Sequence, residues 1–435
     1  MLTPGTIEVD SRESTLGEKD AWDVVVVGAG AAGLVAAAEA ARRGHRTLLI
    51  EKNRKPGVKI LMSGGTRCNL TQATDNRGIV AAFGPAGRFL HSALAALSVE
   101  QTIEMFQSEG LATKVETTGK IFPQSDKAAD VLAALLRRLQ RTSCSLALDE
   151  ALVQITSAPD GFTLTTAKRQ VHAQRLLITT GGQSYPGCGT IGEGYAWASQ
   201  FGHTIVTPRP ALVPLLCDPA WVTGLKGITI PDVALRVVEP NPRQEGGAAG
   251  RRIDARRGSL LFTHFGLSGP VVLDASGAVT RHPRPETLVL ECDLLPNMEP
   301  AALEQWLRDA SANAGKKQLG GELAECLPRR LIDSVLPLRA LSSEIKMAEL
   351  GQRGIRRAAD ALKSLAIPIR GTRGFGKAEV TAGGVALHEV DSRTMQSKLA
   401  SNLFFAGEVL DLDGPIGGYN FQAAWSTGYL AGQSI

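Results

Sequence analysis

The stretch 23–52, DVVVVGAGAAGLVAAAEAARRGHRTLLIEK, leaves few folds open. Residues 23–27 carry four consecutive valines, the composition of a strand buried on both faces of a parallel sheet. Gly28, Gly30 and Gly33 follow at G-x-G-x-x-G spacing, with Ala31 and Ala32 leading into an Ala-rich helix that Gly44 closes. A second strand over 47–50 ends at Glu51 and Lys52. Each part has a mechanical reason. Gly28 permits the tight turn, Gly30 lets backbone approach a pyrophosphate, and Gly33 lets helix and strand pack closely. The helix start offers free N–H groups to phosphate. Glu51, 18 residues after Gly33, can accept hydrogen bonds from a ribose diol. The unit predicts a bound dinucleotide; it does not separate NAD from FAD.

Length and composition bound the rest. A chain of 435 residues predicts two or three domains, and 43% hydrophobic with 21% charged residues describes a soluble globular protein. No apolar run is long enough to span a bilayer, so no membrane contact is expected. Residues 1–20 are polar, lack a signal-peptide pattern and read as a disordered extension. Six scattered cysteines without a C-x-x-C pair argue against structural zinc or a disulfide framework, so the expected compartment is the reducing cytoplasm and the expected metal content is none. Nothing sets the oligomeric state.

Residues 53–71, NRKPGVKILMSGGTRCNLT, read as a long glycine-rich loop. Ser63, Gly64 and Gly65 can present backbone N–H groups to phosphate or to a polar ring edge. Lys59 and Arg67 add positive charge, Cys68 a thiol and Asn69 an amide. An exposed loop with an incidental cysteine would read the same way; the position just after Glu51 favours a cofactor loop. Helices are expected over 98–110 and 127–141, and strands over 146–148, 152–156, 162–165 and 176–179, together as a β-meander. Val153 on the meander, and Thr180, Gly181 and Gly182 at the end of LITTGG, are placed at the cofactor. A second G-x-G-x-x-G at 187–192 does not directly follow a strand and has no acid at the required distance, so it reads as a turn lining a pocket before a helix over 193–201.

From residue 208 the composition shifts to proline and β-branched residues, with strands expected at 228–230, 234–238, 258–263, 271–274 and 287–292, an inserted antiparallel domain. Within LFTHFGLSGP, His264 lies in a glycine-bearing turn after a strand and is a candidate acid. Residues 300–366 read as mostly helical. The division is therefore 21–207 with 374–435 as a discontinuous nucleotide domain, 208–298 as the β insertion and 299–373 as a helical lid. Residues 299–377 hold 14 Lys+Arg against 9 Asp+Glu, and 241–258 hold five arginines against Glu245 and Asp254. A solvated face explains such charge; contact with RNA, not DNA, is the sharper reading. Few aromatics argue against an extensive base-stacking platform.

The C-terminal segment selects FAD. A buried strand over 402–408 ends at Gly407 and Glu408, and the run from Asp413 through Gly417, Gly418, Tyr419 and Asn420 leads into a helix from 421. Such a helix aims its N-terminus at the flavin edge that becomes negative on reduction. NAD dehydrogenases have no need of this second half. The fold class is α/β, a Rossmann-type FAD-binding domain of glutathione-reductase type carrying two insertions.

The motifs GAGAAG with Glu51, KILMSGGTRCNLT, GKIFPQSDKAADVL, TTGGQSYPGCGTIGEGY, LFTHFGLSGP, TAGGV and FFAGEVLDLDGPIGGYNFQAAWSTGYLAG run in order along the chain. On them it resembles the BaiN-like (YhiN-like) family of bacterial FAD-dependent oxidoreductases. Thr66 departs from the family pattern, which usually has a third glycine there, and is expected to stiffen the loop slightly. The resemblance implies FAD, with NADH or NADPH as transient electron donor. It also implies reduction of carbonyl-conjugated C=C bonds, as in dihydrouridine formation in 23S rRNA with a ribosome assembly intermediate as partner; the alternative it implies is reduction or oxidation of a small molecule, an enone, a steroid-like molecule or an amino ketone. For that chemistry Cys68 and His264 are the expected proton donors, and Arg67 the group that positions the carbonyl oxygen.

Overall fold

In the computed structural model the described residues are 20–240 and 250–435. The expected disordered extension, and Arg243 and Glu245 of the basic segment, lie outside them except for Asp20.

The valine run folds as Ala21–Val27 and pairs in parallel with Thr47–Ile50 on one side and Gln170–Ile178 on the other. All four valines have neighbours on both faces, as expected of a central parallel strand. The strand Leu403–Phe405, from the far end of the chain, pairs in parallel with the other edge of Gln170–Ile178. Register sets Ile50, Val27, Ile178 and Phe405 side by side in one row. Four strands thus end together, and the loops that follow carry Glu51, Gly28, Thr180 and Gly407. In open α/β sheets this carboxyl edge is where ligands bind.

The meander is Leu152–Ala158, Gly161–Thr166 and Gln170–Ile178, antiparallel in sequence order. The strand expected at 146–148 is not part of it. Ser145–Ala147 pairs in parallel with Thr47–Ile50 at the opposite edge, because the helix Ala128–Gln140 before it makes a crossover back to the parallel side. The loop expected over 53–71 also differs: Val58–Thr66 opens as a helix on the apolar run at 60–62 and then breaks at Ser63, Gly64 and Gly65.

Two helices clasp the glycine loop. Ala31–Arg42 lies against Tyr419–Ser434, which starts two residues before its expected position. A Cβ on Gly428 would lie 2.4 Å from the Ala32 carbonyl oxygen, and one on Gly432 2.5 Å from that of Ala36. Small residues four apart on each helix permit this approach.

The inserted segment is a second layer with its own core. Thr229–Glu239 and Arg251–Thr263 form its long central pair, flanked by Val289–Asp293 and Gly266–Ser268. Residues 271–274, expected as a strand, belong to the helix Pro270–Arg281. Pro270 supplies the first helical position, and Val271, Val272, Ala275 and Val279 bury one helical face, so packing overrides β propensity. The division at 298/299 does not hold either. Leu365–Pro368 and Gly371–Thr372 are edge strands of the same sheet. Leu303, Leu307, Leu331, Ile355 and Leu362 of the helical segment share one buried cluster with Leu235, Leu260 and Leu290 of the strands. A sheet with one apolar face needs a covering layer, and these helices provide it. Antiparallel pairing of Ile205–Ala211 with Val380–Val385 links the insertion to the nucleotide domain.

Candidate active site

A cavity of about 480 Å³ opens at the row of strand ends. Gly28, Gly30, Ala31 and Ala32 form its floor. Gly28 has φ +104°, and a Cβ there would lie 2.8 Å from the Thr179 carbonyl oxygen, so the turn excludes any side chain. Gly33 is not on the wall. A Cβ on it would meet the Gly28 carbonyl oxygen at 1.9 Å, which makes it a packing glycine.

Glu51 lies on the wall and is nearly buried. Its Oε2 accepts from the Ala29 N–H at 2.8 Å, and its Oε1 from the Asn53 N–H and Nδ2 at 2.9 and 2.8 Å. A carboxylate offers about four lone-pair sites. Three are used in shaping the loop, leaving acceptor capacity on Oε2 for a ribose hydroxyl. Lys52, beside it on the wall, pairs with Glu193.

Farther along, Lys59 donates to Glu408 Oε2 at 2.6 Å and to Ser184 Oγ at 2.8 Å. Glu408 Oε1 accepts from Ser184 Oγ at 2.8 Å and from the Thr381 N–H at 2.9 Å. One carboxylate, in the loop after Leu403–Phe405, so ties together the helix Val58–Thr66, the loop after Gln170–Ile178 and the strand Val380–Val385. Ser63, Gly64, Gly65, Asn69, Thr180, Gly181, Gly407, Gly417 and Gly418 complete this part of the wall. Asn420 also faces it, but its amide is engaged in latching the turn, donating to Gly414 O at 2.9 Å and accepting from Gly414 N–H at 2.8 Å.

Arg67 closes the far end. Its guanidinium stacks 3.9 Å over the Phe122 ring and is held by Glu116 at 2.6 Å and Asp126 at 3.3 Å. Thr66 before it has φ +70°, the left-handed region, after Gly64 and Gly65 in the same region. For a β-branched residue this costs on the order of 1–2 kcal/mol, so the threonine strains the loop where glycine would not.

Not every expected residue reaches the cavity. Cys68 is fully buried in the hydrophobic core and absent from the wall; desolvation pushes its thiol up to about 12. It is a packed thiol with no path to a substrate. His264 is exposed, edge-on to Phe265, and also off the wall. The Val153 side chain is 62% exposed; strand alternation turns its neighbour Leu152 to the cavity instead. Gly182 lies behind the wall, where a Cβ would meet the Thr381 side chain at 2.4 Å. Tyr419 and Asp413 are likewise off the wall. Burial and neighbouring Asp411 push the Asp413 carboxyl up to about 6, against Arg281 and Arg209, which lower it.

The structure adds wall residues that motif reading passed over: Lys120, Tyr185, Cys188, Leu212 and Glu379. Cys188 falls within the glycine turn at 187–192 expected to line a pocket, and Tyr185 lies two residues before it. Among the described residues the wall takes nothing between Val213 and Ala378.

The donor set fits FAD. Asn69 Oδ1 and Thr180 Oγ1 are buried polar atoms without a hydrogen-bond partner, on a wall that already carries the glycine amides and Glu51. Buried polar atoms in folded proteins are nearly always satisfied, so these two await a polar ligand.

A parallel strand row with a glycine fingerprint, an acid at the end of the second strand and a C-terminal return strand defines a flavin-dependent oxidoreductase with a Rossmann-type FAD-binding domain. The model of the HI0933-like protein Rossmann domain matches residues 22–434, and the chain belongs to that family, in agreement with the motif resemblance. The chain is 34% identical over 417 residues to a ribosomal RNA dihydrouridine synthase of Escherichia coli strain K12, covering 95% of this chain and 98% of the relative. It is 30% identical over 413 residues to a 3-dehydro-bile acid delta(4,6)-reductase of Clostridium scindens, covering 94% and 98%. A crystal structure of 3-ketosteroid-delta4-(5alpha)-dehydrogenase from Rhodococcus jostii RHA1 has a TM-score of 0.52 at 16% identity, covering 97% of this chain and 98% of that one. At that identity the likeness is one of fold. Among the described residues no helix is long and apolar enough to cross a membrane.

Proposed function

We propose that the chain takes electrons from NADH or NADPH and reduces the carbonyl-conjugated C=C bond of a uracil ring in 23S ribosomal RNA to dihydrouridine. The observation that carries this reading is the near full-length match to a ribosomal RNA dihydrouridine synthase, 34% identical over 95% of this chain, together with a cavity wall that fits FAD. When bound, FAD supplies the hydride. The chain's own residues do the rest. Glycine-loop amides hold the pyrophosphate, Glu51 accepts from the ribose, and the Lys59–Glu408 pair fixes the middle of the site. Arg67, braced by Phe122, Glu116 and Asp126, offers its remaining N–H groups to the substrate carbonyl oxygen. With one dinucleotide fold, the nicotinamide visits and leaves before substrate arrives, which gives ping-pong kinetics. A base must leave its stack to enter, so partly assembled RNA is the cheaper substrate.

A second reading, reduction of a small enone, is favoured by the surface charge. Arg251, Arg256 and Arg257 pair with Glu239, Asp254 and Asp232, so the insertion offers less free positive charge than its arginine count suggests. Arg353, Arg356 and Arg357 on the helix Gly351–Lys363 make no ion pair among the described residues and remain for phosphate. Deleting the gene and measuring dihydrouridine in the host's 23S rRNA decides between them. Loss of the modification, with RNA affinity that falls steeply with salt, is the expected result. Unchanged dihydrouridine with salt-insensitive turnover of an enone overturns it.

A further inference from the structure

With Cys68 in the core and His264 outside the cavity, reduction of a conjugated C=C bond lacks the proton donor that it needs. We propose that Tyr185 and Glu379 are that source: the Tyr185 hydroxyl protonates the carbon next to the substrate carbonyl, and Glu379 restores the phenol. The inference rests on the reading of the reaction given above.

Both side chains line the cavity, and the Tyr185 hydroxyl lies 3.3 Å from Glu379 Oε1. They come from the two sides of the junction between nucleotide domain and insertion. Tyr185 follows the buried strand Gln170–Ile178, while Glu379 immediately precedes Val380–Val385 and donates its N–H to Leu212 O at 3.1 Å. Tyr185 has φ +53°, a left-handed conformation that is strained for a bulky residue. Three hydrogen bonds hold it there: its N–H donates to Phe375 O at 3.0 Å, and its carbonyl accepts from the Cys188 N–H at 2.8 Å and from Thr190 Oγ1 at 3.2 Å. Strain kept in place by several bonds at a cavity wall points to a constrained side-chain position.

Several other proton-bearing groups of the wall are otherwise engaged, Lys120 and the Thr180 hydroxyl excepted. Lys59 and Lys52 are tied to Glu408 and Glu193, the Arg67 guanidinium does not deprotonate, and the Cys188 thiol contacts Met62 Sδ at 3.0 Å. Tyr185 is the one phenol on the described wall, and it has a carboxyl behind it. Burial, with Glu379 beside it, pushes the phenol up to about 12, and burial holds the Glu379 carboxyl above the ordinary range against Tyr185 and Lys59, which lower it. Both groups therefore keep their protons higher in pH than they would in water.

The step balances. Once the far carbon has taken hydride from reduced flavin, the electron pair of the C=C bond rests on the carbonyl-conjugated enolate. The carbon next to the carbonyl forms its new C–H bond with the Tyr185 proton, leaving a phenolate. The Glu379 proton passes to the phenolate, and water reprotonates Glu379. The substrate gains one hydride and one proton, and the flavin is oxidised.

The test uses the full-length holoenzyme with two variants, Tyr185→Phe and Glu379→Gln, probed with 2-cyclohexenone and with a transcript of the 23S rRNA segment that carries the modification. In anaerobic stopped flow, flavin reduction by NADPH or NADH should stay within about twofold of the parent. Reoxidation by substrate should fall at least about 10²-fold in Tyr185→Phe and about tenfold in Glu379→Gln. A second readout is independent of turnover. Alkaline titration of tyrosine absorbance in flavin-free protein should lack one high-titrating phenol in Tyr185→Phe, and show it titrating lower in Glu379→Gln, where no anion faces it. Parent-like reoxidation in Tyr185→Phe, or an unmoved phenol in Glu379→Gln, overturns the pair. Failure of both probes to reoxidise the parent would instead overturn the reaction on which the inference rests.

Discussion

The nucleotide domain and the insertion are built on opposite principles. In the first, function resides in backbone: Gly28, Gly30, Gly64, Gly65, Gly407, Gly417 and Gly418 all reach the cavity wall. In the second, a seven-stranded sheet covered by helices encloses its own core and sends no described side chain between 213 and 378 to that wall. The difference teaches where each kind of residue matters. A cofactor that is mostly phosphate and ring edge needs amides brought close, which only bare backbone can do. A unit that covers the site or meets a large partner needs a stiff body, and its chemistry can lie at its borders, as Leu212 and Glu379 do.

The largest effect expected from this contrast is at Gly33. Its missing Cβ leaves room for the Gly28 carbonyl oxygen, so Gly33→Ala forces backbone apart at the phosphate turn. Overpacking of this kind costs about 1–3 kcal/mol or more. We expect protein purified with less than a tenth of the parent's FAD and a lowered Tm. Full occupancy would mean that the turn is less tightly constrained than its geometry implies.

Asp413 sharpens the comparison, because it lies where the two regions meet. Three residues on, the Ile416 N–H donates to Asp274 of the helix Pro270–Arg281 at 2.8 Å, and Arg281 of the same helix acts on Asp413 together with Asp411 and Arg209. Its folded value, about 6, lies above the ordinary aspartate value. The sign follows from that: stability from the protonated form is fully present below about pH 4 and is lost as pH rises through about 6, up to on the order of 3 kcal/mol. Asp413→Asn should flatten Tm against pH over that interval. An unchanged slope would remove Asp413 as its source.

The smallest effect is expected at His264. His264→Ala should leave FAD content, flavin reduction and substrate reoxidation within about twofold, as befits an exposed side chain off the wall. A loss of tenfold or more would break the contrast and bring the insertion into the chemistry.

Much of the site could be read in the chain because glycine spacing states a backbone requirement directly. The fingerprint at 28–33, the acid at 51 and the Gly-Glu ending at 407–408 need no knowledge of distant neighbours. The failures have a common cause. The β-branched residues at 271–274 suggested a strand, but burial of one helical face settled the matter. Cys68 and His264 have the right chemistry in glycine-rich turns, and whether a turn faces a cavity, a core or solvent depends on what packs against it. Val153 missed by one residue, which in a strand is the opposite face.

The sequence by itself determined the tight glycine turn at 28–33, the acid that ends the second strand, the two-part nucleotide domain and the presence of a large insertion, since each is a local pattern with a local physical reason. Tertiary structure decided which groups share the cavity. Lys59 meets Glu408 across 349 residues, and Tyr185 meets Glu379 across 194. No periodicity encodes such pairs, because they arise only when separate strands end in one row and a long insertion returns the chain to its starting edge.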